Sequence, residues 1–298
     1  MDTTVLVRIV RSDGQEFIIN DGKNWRIPND GLENFANLNY SVASTEIPSY
    51  DGALVTSKRV GSVDRSIHAV AKDTRLNEAL RAEAISFFNP RFTFDVHLSY
   101  MGRTRWCSGE QIGFKCSEGN IYQPIEIEWT ILCARPFLLS EGDFGKDIAE
   151  VVGKFGFPFR SFLPVSDGSI PGYMTGFIAS LHSFGQTVDI ENDGDVDSGM
   201  KVTITAKGEV VNPLVRIGNG FVRLIKTMHE GGTVQLDASS RPPTVLYNGQ
   251  NAMQLLDRNS SILDMVISVG TTTIEYDADD GDQYMSVVVR YNKQYLGI

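Results

Sequence analysis

Apolar and polar positions alternate every second residue along most of the chain, the pattern of strands with one buried and one wet face. Val5-Leu6-Val7-Arg8-Ile9-Val10 is rich in β-branched residues. Asp13-Gly14, a hairpin turn pair, separates it from Glu16-Phe17-Ile18-Ile19. Further Asp-Gly pairs stand at Asp21-Gly22 and Asp51-Gly52. Residues 40–70 hold two or three strands with an unusual middle. There Leu54-Val55-Thr56-Ser57-Lys58-Arg59-Val60 is strand-prone yet carries adjacent cations, and Gly52 and Gly61 bracket it. Two readings stand side by side for this segment: a surface hairpin, or a projecting arm that adds a strand to a neighbouring subunit.

One stretch changes period. Asp73 or Thr74 can cap a helix, and Leu76, Ala79, Leu80, Ala84, Phe87 and Phe88 then recur at helical spacing. Asn89-Pro90 ends it, because the residue before proline avoids the helical region. A single helix among strands is expected to pack across one face of a sheet. Strands resume at 92–98, with a turn at Met101-Gly102-Arg103, and 125–131 alternates cleanly. His97 falls on an outward position, where a solvated histidine is expected.

Ala134-Arg135-Pro136-Phe137 breaks the pattern. Gly142, Gly145, Gly153, Gly156 and Pro158 follow, with a short helix expected at 146–152. This divides the chain into an N-terminal β domain (1–136), a linker (137–160) and a C-terminal domain (161–298). The second half reads as strands throughout, at 187–190, 201–205, 221–225, 233–237, 243–247, 264–269, 272–276 and 286–290. Turn signals such as Glu230-Gly231-Gly232 and Asn248-Gly249 separate them. Many short strands without helices predict a β-sandwich or jelly roll.

Composition narrows the function. A length of 298 residues suits two domains, and 42% hydrophobic with 21% charged residues suits a buried core in each. The net charge is −10, from 27 basic against 37 acidic residues. That balance disfavours a duplex-binding surface, which gains its affinity from cations on phosphates, and offers no basic membrane patch. The N-terminus lacks a signal-peptide pattern and no stretch reaches transmembrane length, so a soluble protein made in a cytoplasm is expected. Three cysteines, Cys107, Cys116 and Cys133, are too few and odd in number for a disulfide framework. Cys133 reads as a small core residue. Cys107 and Cys116 flank Ser108-Gly109-Glu110 and can face each other across a hairpin. No zinc site is expected, since His68, His97, His182 and His229 are scattered.

The common catalytic signatures are missing, with neither a phosphate-cradling glycine loop nor a Gly-x-Ser-x-Gly elbow. His229-Glu230 runs into Gly231-Gly232, where no zincin helix can form. Two acidic loops, Asp193-Gly194-Asp195-Val196-Asp197 and Asp277-Ala278-Asp279-Asp280-Gly281-Asp282, read either as calcium ligands or as solvated turns. Neither has the spacing of an EF-hand loop, and tight turns prefer Asp and Gly in any case. The aromatic cluster Phe155-Gly156-Phe157-Pro158-Phe159 reads either as a ligand platform or as an anchor for the linker.

Taken in order, these features resemble the siphophage distal tail protein family over nearly the whole chain. The residues that carry the resemblance begin with a β-rich half closing on Cys133-Ala134-Arg135-Pro136-Phe137, followed by Phe157-Pro158-Phe159. A turn from Asn192 to Asp195, then Thr203-Ile204-Thr205, Asn212-Pro213 and Val287-Val288-Val289-Arg290-Tyr291 complete the order. The resemblance implies a mainly β fold: an N-terminal β-sandwich or split-barrel ring domain with one helix, and a C-terminal galectin-like β-sandwich. It also implies a homo-hexameric ring in the virion tail tip, made in the host bacterial cytoplasm. Such a ring joins the tail tube protein to the tail-associated fibre or lysin protein. Receptor-binding or other baseplate proteins are further partners in some members, and DNA passes the lumen without specific binding. It brings no catalytic residues, cofactor or metal, and no membrane. A ring needs closing contacts between unlike patches, and the Leu54 to Val60 hairpin is the candidate for one. The competing expectations are a carbohydrate-binding module or another tail tube or baseplate component. All three tryptophans (Trp25, Trp106, Trp129) lie in the first half, which disfavours a sugar platform in the second.

Overall fold

The computed structural model describes residues 5–47, 51–117, 122–142, 144–147, 186–218 and 220–298. The chain forms two units. The first comprises Met1–Asp143, Gly194–Val196 and Asn292–Ile298; the second comprises Phe144–Asp193 and Asp197–Tyr291. The chain therefore leaves the first unit, returns to it briefly, and ends in it. The C-terminal residues 292–298 thus stand apart from the second half in which the sequence divided them.

In the first unit the strands are β1 (Leu6–Arg11), β2 (Glu16–Ile19), β3 (Trp25–Arg26), β4 (Leu32–Glu33), β5 (Tyr40–Glu46), β6 (Ala53–Val60) and β7 (Val63–Ala71). After helix α1 (Asn77–Phe87) come β8 (Thr93–Tyr100), β9 (Arg103–Cys116), β10 (Glu126–Cys133) and β11 (Leu138–Ser140). The main sheet runs β2-β1-β8-β9-β10-β7-β3, with β4 also on β7 and β11 on β9. Strand β9 is long and serves three partners: 103–110 pairs with β8, 105–106 with β11 and 110–116 with β10, the last with a register shift at Thr130/Ile131. The C-terminal strand Gln294–Tyr295 pairs with β11, so it extends this same sheet.

Alternation in β1, β8 and β10 buries Val7, Ile9, Phe94, Val96, Leu98, Ile127, Trp129 and Ile131 on one face. Helix α1 lies over that face. Asp73 caps the preceding 3₁₀ turn by accepting from the Arg75 amide, and Leu80, Ala84 and Phe87 point inward. Phe88 follows with its ring 5.0 Å from Phe114 and from Trp129, and Phe87 meets Phe17 at 5.2 Å. Leu76 and Ala79, which share the helical spacing, are exposed, and the helix itself starts only at Asn77.

In the second unit the strands are β12 (Phe144–Asp147), β13 (Gln186–Asn192), β14 (Ser198–Ala206), β15 (Val210–Val211), β16 (Leu214–Ile217), β17 (Gly220–Arg223) and β18 (Thr227–Met228). They continue with β19 (Thr233–Asp237), β20 (Thr244–Tyr247), β21 (Gln250–Asn251), β22 (Val266–Ile267), β23 (Gly270–Asp277) and β24 (Met285–Tyr291). One sheet runs β12-β24-β14-β19-β20-β21, with β22 on β14; another runs β13-β23-β16-β17; β15 pairs with β18. Val202, Ile204, Val234, Val287 and Val289 from the first share one core with Ile190, Val215, Val222, Ile274 and Tyr276 from the second. This is a β-sandwich. The β20–β21 turn has positive φ at both Asn248 and Gly249, as a tight two-residue hairpin demands.

The mainly β architecture, with one α-helix among the described residues, agrees with the sequence, and several local expectations do not. The strand expected at 264–269 is reduced to β22, because the amides of Ser268 and Val269 go to the side chains of Thr272 and Asp197 instead of a ladder. Lys146 and Asp147, expected in a short helix, pair with Val289 and Val288 on the edge of β24. The rest of that helix, and the Phe155 to Phe159 cluster, lie outside the described residues. Cys107 and Cys116 do not face each other. The hairpin turns at Met101-Gly102, so both stand on β9, about 30 Å apart at strand rise.

Candidate interaction surface

Strands β5 and β6 form a sheet of their own, a ribbon that pairs with nothing else in the chain among the described residues. Their register runs from Tyr40↔Val60 to Glu46↔Ala53, with a shift between Ala43 and Ser44. The Thr56 hydroxyl donates to the Ala43 carbonyl (3.1 Å) at that bulge, and the Gly61 amide donates to Asn39 (3.1 Å) at the foot. Serine, threonine and valine suit a ribbon that is wet on both faces. All of β5 and all of β6 except Val60 are exposed. Apolar side chains share that exposure: Tyr40 is 68% exposed, Leu54 58%, Val42 55% and Val55 47%. An isolated two-stranded hairpin is marginal in water, and exposed apolar groups at this density mark a contact surface. Lys58 and Arg59 stand at the foot, opposite the uncharged Val42 and Ser41. The segment Leu54 to Val60, singled out in the sequence, is thus one whole side of the ribbon.

A second surface lies on the wet face of β7, β10 and β9. It is a cleft of about 480 Å³ lined by Asp30, Glu33, Ser66, His68, Lys115, Glu126 and Glu128 among others. The alternation of β10 turns Glu126 and Glu128 outward while Ile127 and Trp129 go to the core. The ammonium of Lys115 sits 2.9 Å from Glu128 and holds its carboxyl below the ordinary value. His68 lies 3.5 Å from Glu126, and the hydroxyls of Ser66 and Thr130 meet at 2.9 Å. One wall depends on Gly31, where a Cβ would fall 2.7 Å from the His68 carbonyl and no larger residue fits. The outward glutamates were visible in the alternation of 125–131. Their grouping with His68 and Glu33 was not, because β7 and β4 reach β10 only through the tertiary pairing.

The other candidates resolve into structure. His97 is not solvated: its side chain is 17% exposed, its ring stacks on Trp106 (5.9 Å), and Glu141 lies 3.6 Å away. Burial pushes its imidazole below the ordinary value, Arg8 adds to that, and Glu141 opposes. Cys107 instead lies with Cys133 in the core. The neighbouring Cys133 and burial raise Cys107, while Cys107 lowers Cys133 against burial and with help from Arg65. In the acidic loops, Asp195 accepts from the Leu296 amide and Asp197 from the Val269 amide. Asp279 accepts from Asn212 and pairs with Arg223, and the Asn212 bond first, then Arg223, lower its carboxyl. Among the described residues no group of three or more His, Cys, Asp or Glu side chains is placed to hold a metal ion. No helix among them is long and apolar enough to cross a membrane.

The class so defined is a two-unit, mainly β chain, with a helix-covered sheet, a sandwich and a projecting ribbon. Residues 193–295 match the family of the siphovirus-type tail component, C-terminal domain. The fold as a whole is similar to that of the Dit (gp 19.1) protein of phage SPP1, described as a paradigm of the hub adsorption apparatus in phages infecting Gram-positive bacteria. The two share 10% identity over 97% of this chain and 98% of that one, with a TM-score of 0.63. A chain of the phage P2 baseplate in its activated conformation with Ca is similar at 10% identity over 99% of this chain and 100% of that one, with a TM-score of 0.52. The same baseplate with Sr gives the same values. No curated protein matches in sequence. The resemblance to the siphophage distal tail protein family is borne out.

Proposed function

We propose that this chain is a structural subunit of the tail tip of a long-tailed phage, built into a homo-hexameric ring. The observation that carries the reading is the tail-component match over residues 193–295, inside a chain that follows a phage hub fold from end to end. In this assignment residues 1–136 build the ring together with the last strand Gln294–Tyr295, the rest of 161–298 forms an outer galectin-like domain, and 137–160 connect them. The ring joins the tail tube to the tail-associated fibre or lysin protein or to the baseplate, and it passes DNA without binding it. Its work is assembly, with no catalytic step. The acidity of the chain supports passage, since a basic lumen would hold phosphates. The β5–β6 ribbon, with Leu54, Val55, Thr56, Ser57, Lys58, Arg59 and Val60 along one strand, supplies one inter-subunit contact. Quantitative mass spectrometry of purified virions tests the assignment. About six copies per particle are expected for one closed ring. A copy number in the hundreds would mark a tube subunit instead, and absence from the particle would end the proposal.

A further inference from the structure

We propose that the acidic cleft on the wet face of β7, β10 and β9 receives the basic foot of the β5–β6 ribbon from a second copy of this chain. This rests on the ring assembly proposed above and names the surface that closes it. Four carboxylates line the cleft (Asp30, Glu33, Glu126 and Glu128), against Lys115 as its only permanent cation. Lys115 is engaged by Glu128, so the cleft keeps a negative excess. The foot of the ribbon has the opposite character. Lys58 and Arg59 are exposed, stand side by side, and among the described residues neither forms an ion pair. Neighbouring strand positions point to opposite faces, so one cation is presented on each side of the ribbon.

Charge opposition alone gives orientation and association rate more than affinity. The ribbon supplies the rest. Val42, opposite Lys58, and Tyr40, two positions along the same strand face, are open to water. Covering them removes apolar area that the ribbon cannot bury on itself. Ribbon and cleft both belong to the first unit, so each copy can offer one and accept the other. Contact between unlike patches of that kind is the type that closes into a ring.

Charge exchange tests the pairing in the full-length chain. Assembly is followed by sedimentation velocity across a concentration series at low salt. K58E/R59E alone and E126K/E128K alone should each raise the concentration needed for assembly by about tenfold or more, since like charges then face each other. Combining all four substitutions should restore assembly toward the wild-type range. The neutral pair E126Q/E128Q should show a smaller loss, and all variants should melt with the wild type, because the four positions are exposed. If the combined variant assembles no better than either parent, the pairing is wrong. If removing the ribbon abolishes assembly while E126K/E128K and E126Q/E128Q leave it intact, the cleft is not the receptor although the ring stands. A wild-type chain that stays monomeric at every concentration would overturn the ring, and this inference with it.

Discussion

Buried arginines set the local order of the first unit. Arg11, only 7% exposed, donates to the carbonyls of Ser86 and Phe87 (3.1 and 3.0 Å) at the end of α1, where the last carbonyls lack helical partners. Its guanidinium lies over Phe92 (4.3 Å) and pairs with Asp13 (2.6 Å). The hydrogen bond from Arg11 is the main cause that holds the Asp13 carboxyl at about 2, below its ordinary 3.8. A depressed carboxyl stabilises the fold above its unfolded value, and that contribution is lost as pH falls through the folded value. Asp13→Asn should therefore melt below the wild type at neutral pH, and the gap should close between about pH 4 and pH 2; a gap unchanged across that window would refute the pairing. Arg65, on β7 opposite Ile131 of β10, is fully buried and donates to the carbonyls of Asn34 (3.2 Å) and Pro136 (2.6 Å). Arg65→Met keeps the volume but strands both carbonyls, and should cost about 1–3 kcal/mol in urea unfolding. Phe88 joins helix to sheet through Phe114 and Trp129. Phe88→Ala should cost about 3–5 kcal/mol by the same measurement, as the truncation of a buried aromatic does.

At the scale of elements, what could be read in advance was what depends on local pattern. The β1–β2 hairpin, α1 from Asn77 onward, β19 and β24 all follow from alternation, capping and turn pairs within a few residues of each other. What could not be read depends on distant partners. Leu214–Ile217 forms β16 between β23 and β17, although its four residues carry little pattern of their own. The last strand, Gln294–Tyr295, belongs to the first unit because β11 offers it an edge. Of the candidate surface, the ribbon was legible, since Gly52, Gly61 and adjacent cations on a strand-prone run are local signals. The cleft was not, because Glu33, His68 and Glu128 come from three strands. Arg105 stacks on Tyr295 at 3.8 Å and holds that final strand. Tyr295→Ala should lower the stability of the first unit by about 1 kcal/mol, the scale of one partly exposed cation–π contact. Replacing residues 41–59 with a short glycine-containing turn should leave the far-ultraviolet circular dichroism melt near that of the wild type, because the ribbon contributes no residue to the core. The same variant should lose self-association in light scattering.

For the whole molecule, two cores are built from one chain that crosses between them and ends where it began. The second unit is a sandwich whose match to siphovirus-type tail components covers residues 193–295. In the first, among the described residues, the β5–β6 ribbon stands apart from the main sheet and pairs with no other strand, and the proposed ring assembly gives it a partner. Electron microscopy of the purified full-length chain tests this most directly. Rings of six-fold symmetry, with a central hole that admits a DNA duplex, are the expected image. A field of single particles of one-chain size, unchanged as the concentration is raised, would contradict it.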